Sequence, residues 1–150
     1  MVDNTDWQML TRQKYPLDMK VSMTMDRIKN WYQYWDGEIC IAFSGGASSR
    51  MLLGMARSLY PKIPGVYVYG SGDDNGVLGV QNIIWLKNNT FDYRLIQERL
   101  EFKPMLGTTL DSGPQSLVVY RDSGCQSIKN ERPVSHPIAF WTKQDILEVS

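Results

Sequence analysis

Between Ile39 and Ala56 the chain reads ICIAFSGGASSRMLLGMA, an apolar run, a Ser-Gly-Gly turn and an amphipathic run in direct succession. The chemistry such a stretch can do is to hold an anion. The opening N–H groups of a helix, with the positive end of its dipole, favour negative charge, and glycines let a backbone approach a phosphate closely. Ser44, Gly45, Gly46, Ala47, Ser48 and Ser49 are the residues placed for this. The carboxyl end of a strand is also where open α/β sheets bind ligands. Taken alone, the turn reads equally well as a tight connection with no ligand, since it carries neither lysine nor carboxylate.

Other residues could contribute. Asp73 and Asp74 follow a second apolar run and suit a metal, ribose hydroxyls or simply a solvated turn. Tyr67 and Tyr69 alternate with Val66 and Val68, so one pair faces a core. Arg121, Lys129, Arg132 and Lys143 gather in the polar last third. His136, the single histidine, has no Ser/His/Asp spacing around it and reads as structural, with a general-base role as the alternative. Cys40 sits in an apolar run and reads as packing, whereas Cys125 lies in a polar stretch near basic residues that could activate a thiol. Asn88-Asn89-Thr90 matches a glycosylation acceptor by composition only.

These residues need elements to position them. Residues 1 to about 20 show no period, and Pro16 interrupts them, which predicts an irregular arm with at most one helical turn. From Thr24, apolar residues at Ile28, Trp31, Tyr32 and Trp35 mark a helix face that Asp36-Gly37 stops. Glu38 to Phe43 predicts a strand buried on both faces, and Leu52, Met55, Ala56 and Leu59 a helix closed by Pro61 and Pro64. Strands are predicted at Val66 to Tyr69, Asn82 to Leu86 and Ser116 to Tyr120, with a helix from Phe91 to Phe102. Residues 121 to 137 read as a long polar loop. Thr142 and Asp145 resemble a capping box that opens a last helix. Alternating strands and helices predict a single α/β domain with a parallel sheet.

Composition narrows the partners. The chain carries 16 basic and 16 acidic residues, a balance that disfavours an extended nucleic-acid surface. No apolar run is long enough for a membrane span and the start lacks a signal peptide, so a cytoplasmic protein is expected. The chain ends shortly after the last helix begins, which suggests either that material is missing or that a homo-oligomer or a partner protein covers that edge.

A strand, SGGxxS and a helix resemble the PP-loop of the adenine-nucleotide alpha-hydrolase superfamily. The neighbouring pieces YWDGEICIAFSGG, MLLGMARSLYPKIPGVYV, NIIWLKNNTF and RPVSHPIAFWTKQDILEV are similar to the phosphoadenosine phosphosulfate reductase family, in patches from Ile28 to Val149. The resemblance implies a Rossmann-like parallel sheet, reduced in size, that binds an adenine nucleotide such as ATP or phosphoadenosine phosphosulfate, with Mg²⁺ as an accompanying ion. It would place phosphates on residues 44 to 49, the base edge against the backbone near Val68, and the far anion near Arg132. Such a protein would act at a nucleotide α-phosphate or in sulfur-group transfer. Three features depart from the family. Ala47 and Ser48 replace the usual Lys and Asp, which removes a point charge for phosphate and a hard ligand for Mg²⁺. The family's C-terminal nucleophilic cysteine has no counterpart. The stretch between VYVY and NIIWL is short for a crossover helix, so either a turn replaces that helix or the topology is simplified. The alternative these departures imply is a catalytically inactive, degenerate or truncated member acting as an interaction module or scaffold.

Overall fold

In the computed structural model the described residues are 11–70, 74–89, 93–109, 126–127 and 134–149. Four of the described helices serve as landmarks: α1 (Leu17–Tyr34), α2 (Ala47–Leu59), α3 (Tyr93–Leu100) and α4 (Lys143–Val149). The strands are β1 (Ile39–Ala42), β2 (Gly65–Tyr69), β3 (Ile83–Lys87), β4 (Lys103–Leu106), β5 (Gln126–Ser127) and β6 (Val134–Ser135). They form one sheet in the order β3-β2-β1-β4-β6-β5, parallel throughout except for β5 against β6. This is a small Rossmann-like α/β arrangement. None of the described helices is long and apolar enough to cross a membrane.

The alternation of strand side chains divides the interior in two. Ile39, Ile41, Phe43, Tyr67 and Met105 face a core shared with α1, α2 and Ile146 of α4. Cys40, Ala42, Val66, Leu86 and Leu106 face the other way, against Ile96 of α3. The continuous burial of β1 reflects cover on both faces, as an inner parallel strand requires.

Residues 1–10 of the expected irregular arm lie outside the described residues, and the expectation needs correction from Leu17 on. Residues 11–13 form a helical turn, and α1 begins at Leu17 directly after Pro16, well before Thr24. Proline suits a helix start because it has no N–H to leave unpaired. The period was obscured because the buried stripe of α1 is Lys20, Thr24, Ile28 and Trp31, and its first two members are polar. Lys20 Nζ donates to Gln13 O at 2.6 Å and to Asp145 Oδ2. Thr24 Oγ1 donates to Pro137 O and accepts from Trp141 Nε1, each at 2.9 Å. Trp31 Nε1 reaches Lys103 O at 3.1 Å. At its other end α1 stops as expected: Asp36 N–H returns to Gln33 O and Gly37 N–H to Tyr32 O, with both residues at positive φ.

The short crossover resolves in favour of a turn. β2 and β3 pair in parallel over Gly65↔Ile83 to Tyr69↔Lys87, and residues 75–79 between them are turn. Val77 plugs that turn into the main core. β4 was not anticipated, because Pro104 argues against an inner strand. Its missing N–H faces away from β1, while Lys103 N–H bonds Glu38 O, so no bond to β1 is lost. Two short strands, β5 and β6, lie within the expected polar loop, and residues 134 to 141 are buried throughout. The strand expected at residues 116–120 lies outside the described residues.

The capping box at α4 is present, with Thr142 N–H on Asp145 Oδ2 at 2.9 Å and Asp145 N–H on Thr142 Oγ1 at 3.1 Å. Burial alone would raise the Asp145 carboxyl, but the hydrogen bonds from Lys20 and Thr142 outweigh it and hold the group below its ordinary value. A lowered folded-state pKa gives stability that is complete above the ordinary carboxylate range and is lost as pH falls through the lowered value. Asp145→Asn strands the buried Lys20 ammonium, and urea unfolding at pH 7 is expected to show a loss of about 3 kcal/mol, with a flatter acid limb than the parent chain.

Candidate functional site

The carboxyl end of β1 delivers the chain to Ser44, and α2 begins after Gly46, which occupies the N-cap with extended geometry and no side-chain cap. The first-turn N–H groups of a helix have no partner within it, and here no side chain caps them. The serines knit the turn beneath them. Ser49 Oγ donates to Gly46 O at 3.2 Å and accepts from Ser44 N–H at 3.2 Å. Ser44 Oγ lies 3.0 Å from Ser49 Oγ and accepts from Gly46 N–H at 3.3 Å. Ser49 is buried, whereas Ser44, Gly46 and Ala47 are exposed. Arg50 donates from Nε to Gly45 O at 3.2 Å and from a terminal nitrogen to Gly76 O at 2.7 Å.

A cleft of about 260 Å³ opens against this turn, between Ser44, Ser48 and Ser49 on one side and Leu106, Gly107 and Thr108 on the other. Gly107 makes the close approach: a Cβ there would lie 3.1 Å from Ser49 N. The location follows from topology. The chain leaves β1 through α2 on one face toward β2, and reaches β4 through α3 on the opposite face, so β1 and β4 flank the point where strand order reverses. Connections that diverge there leave a crevice at the strand ends, the position at which open α/β sheets bind ligands. A hollow of about 360 Å³ at the amino end of the strands is lined by Tyr32, Tyr60, Pro61 and Pro64. It is larger, and Gly37 of the turn after α1 also lines it, but no helix N-terminus opens into it.

Val68 lies on β2, and the ladder fixes where its backbone points. Phe43 N–H bonds Val66 O, whereas Tyr69 O accepts from Asn88 N–H on the β3 side. By alternation, the N–H and C=O of Val68 face the space past the end of β1. The Val68 side chain packs against the second core, away from Tyr67 and Tyr69. Tyr67 is buried, donates to Asp74 Oδ1 at 2.5 Å and meets Trp85 edge-on.

The structure thus brings Ser44, Gly45, Gly46, Ala47, Ser48 and Ser49 together around one turn and puts Val68 one strand away. Asp73, Arg132, Arg121, Lys129 and Cys125 lie outside the described residues. Lys143 is exposed at the start of α4 and does not line the cleft. The described residues around the turn do not make a site for a protein-held Mg²⁺. The turn offers hydroxyls and no carboxylate, Asp74 is engaged by Tyr67, and among the described residues no three His, Cys, Asp or Glu form a metal-sized group. Sequence reasoning missed Arg50, Gly76, Gly107 and Thr108. Gly107 could have been found had KPML been read as a strand, since it would then stand at a strand's carboxyl end; Arg50 and Gly76 carry no local signal.

Cys40 is fully buried, and burial pushes its thiol pKa upward, which leaves a protonated, unreactive group. Comparison of the chain with protein-family models, curated proteins and solved structures gives no match.

His136 follows β6 at the same end of the sheet and is buried, and burial lowers its imidazole from 6.5 to about 4. The folded state therefore keeps the neutral ring while the unfolded chain takes up a proton below pH 6.5. Stability is complete above that pH and falls as pH drops toward about 4. Chemical unfolding at intervals between these limits is expected to show a loss of about 3 kcal/mol that His136→Asn abolishes.

Proposed function

We propose that this chain binds the phosphate of an adenine nucleotide in the cleft between residues 44–49 and the end of β4. The observation that carries the reading is the coincidence of an uncapped, glycine-flanked helix start with the crevice at the strand-order reversal. Either feature alone is common in folds that bind nothing. Their meeting at Gly107, where the absent side chain keeps Ser49 N–H approachable, favours an anion of phosphate size. The assignment to adenine rests on the sequence resemblance together with the backbone of Val68, whose N–H and C=O suit a base edge. It brings with it the further proposal of membership in the phosphoadenosine phosphosulfate reductase family and a cytoplasmic setting.

Within this reading the site binds more readily than it cleaves. Neutral hydroxyl and amide donors hold a phosphate, but cleavage at an α-phosphate develops charge that Ala47 and Ser48 cannot meet. Sulfur-group transfer would need a thiolate, and Cys40 cannot supply one. The absence of lysine and carboxylate from residues 44–49 is the observation that favours a second reading, a catalytically silent module that serves as a scaffold for a partner protein or a second copy.

Calorimetric titration with ATP, AMP and phosphoadenosine phosphate, with and without Mg²⁺, tests both readings. Gly46→Asp is the control, because Gly46 has ordinary φ and room for a Cβ, and aspartate is a favoured N-cap. The variant is expected to keep or slightly raise the melting temperature while its carboxylate abolishes binding. Silence from the folded parent chain with all three ligands would leave the scaffold reading.

A further inference from the structure

We propose that Arg50 is a positioning residue that locks the Gly45–Gly46 peptide with its N–H turned toward the cleft; this rests on the phosphate-binding reading above. In a trans peptide the C=O and the following N–H point in opposite directions. Gly45 C=O is held by Arg50 Nε at 3.2 Å, so Gly46 N–H is directed to the other side, where it meets the cleft-lining Ser44 Oγ. This orientation does not maintain itself. Gly45 sits at φ +85° and Gly46 has no side chain, so a peptide between two glycines rotates with little steric resistance. Rotated, it would aim a carbonyl oxygen at the position proposed for the anion.

The guanidinium has a second anchor. Its terminal nitrogen holds Gly76 O at 2.7 Å, and Gly76 lies in the turn that joins β2 to β3. The two glycine backbones touch, and a Cβ at Gly76 would fall 2.6 Å from Gly45 O. That turn is itself fixed: Val77 and Leu78 N–H bond Asp74 O, and Asp74 is held by Tyr67. The shortened crossover therefore acts as a splint, and Arg50 is the rivet between splint and loop. Bonds from a guanidinium to carbonyls are charge-assisted, and a planar fork spans two acceptors where a single ammonium does not. Arg50 also holds the Gly45 carbonyl dipole away from the cleft.

The test is titration of the whole chain with AMP and with inorganic phosphate, by calorimetry and by the Gly46 amide resonance, for the parent chain, Arg50→Lys, Arg50→Met and Gly76→Ala. All three substitutions are expected to weaken AMP by about tenfold or more and to shift the free Gly46 amide, with melting temperatures of the two exposed Arg50 variants near the parent's. Gly76→Ala disturbs the same contact without touching charge. If Arg50→Lys binds like the parent while Arg50→Met does not, the residue acts as a charge and the lock is wrong. The lock is equally wrong if the Arg50 variants all bind like the parent. If the folded parent binds neither probe, the phosphate reading falls and takes this inference with it.

Discussion

A lysine buried along a helix holds the two ends of this fold together. Lys20 lies in the inward stripe of α1, and its ammonium is satisfied by Asp145 and the carbonyl of Gln13. Taking an ammonium out of water is tolerable only when charge and hydrogen bonds replace the water. Asp145 does this while also closing the capping box of α4, so helix start and ion pair share one carboxylate. One and two turns further along α1, Thr24 and Ile28 continue the stripe, and Thr24 ties down Pro137 and Trp141 by its single hydroxyl. Residues 137–145 are thus sewn to α1 by polar bonds inside an apolar core.

That seam has consequences at the other end of the molecule. It holds residues 134–141 against the sheet, which keeps β6 beside β4 and gives β4 a neighbour on each side. β4 in turn sets Gly107 over the first turn of α2. The cleft is a product of sheet order, and its distance from the seam does not make it independent of it. Its own detail is local: two serine hydroxyls, a glycine pair and an arginine fix which backbone groups face the opening.

The readable parts of the chain are those in which pattern and environment agree. β1, β2, α2 and the Asp36-Gly37 stop carry apolar periods or turn residues that the tertiary structure only confirms. The unreadable parts are those in which tertiary contacts override local preference. The first turns of α1 were hidden by a buried lysine and threonine, β4 by a proline whose missing donor faces a tolerant side, and β6 by a polar neighbourhood that nonetheless ends in the core. The same division runs through the site. The turn from Ser44 to Ser49 is contiguous and announces itself, whereas Gly76 and Gly107 become part of it only when distant loops are brought against it.

The sequence by itself determined that strands alternate with helices, that the first strand is covered on both faces, and that a glycine turn leads into a helix N-terminus. These follow from side-chain periodicity and backbone freedom, which act over a few residues. Only the tertiary structure decided the strand order, the meeting of β1 with β4, the partner of Lys20 and the pairing of Gly45 with Gly76. Each of those joins residues far apart in the chain, and what selects them is the burial of surface and the satisfaction of polar groups across the whole fold, which no local window of sequence contains.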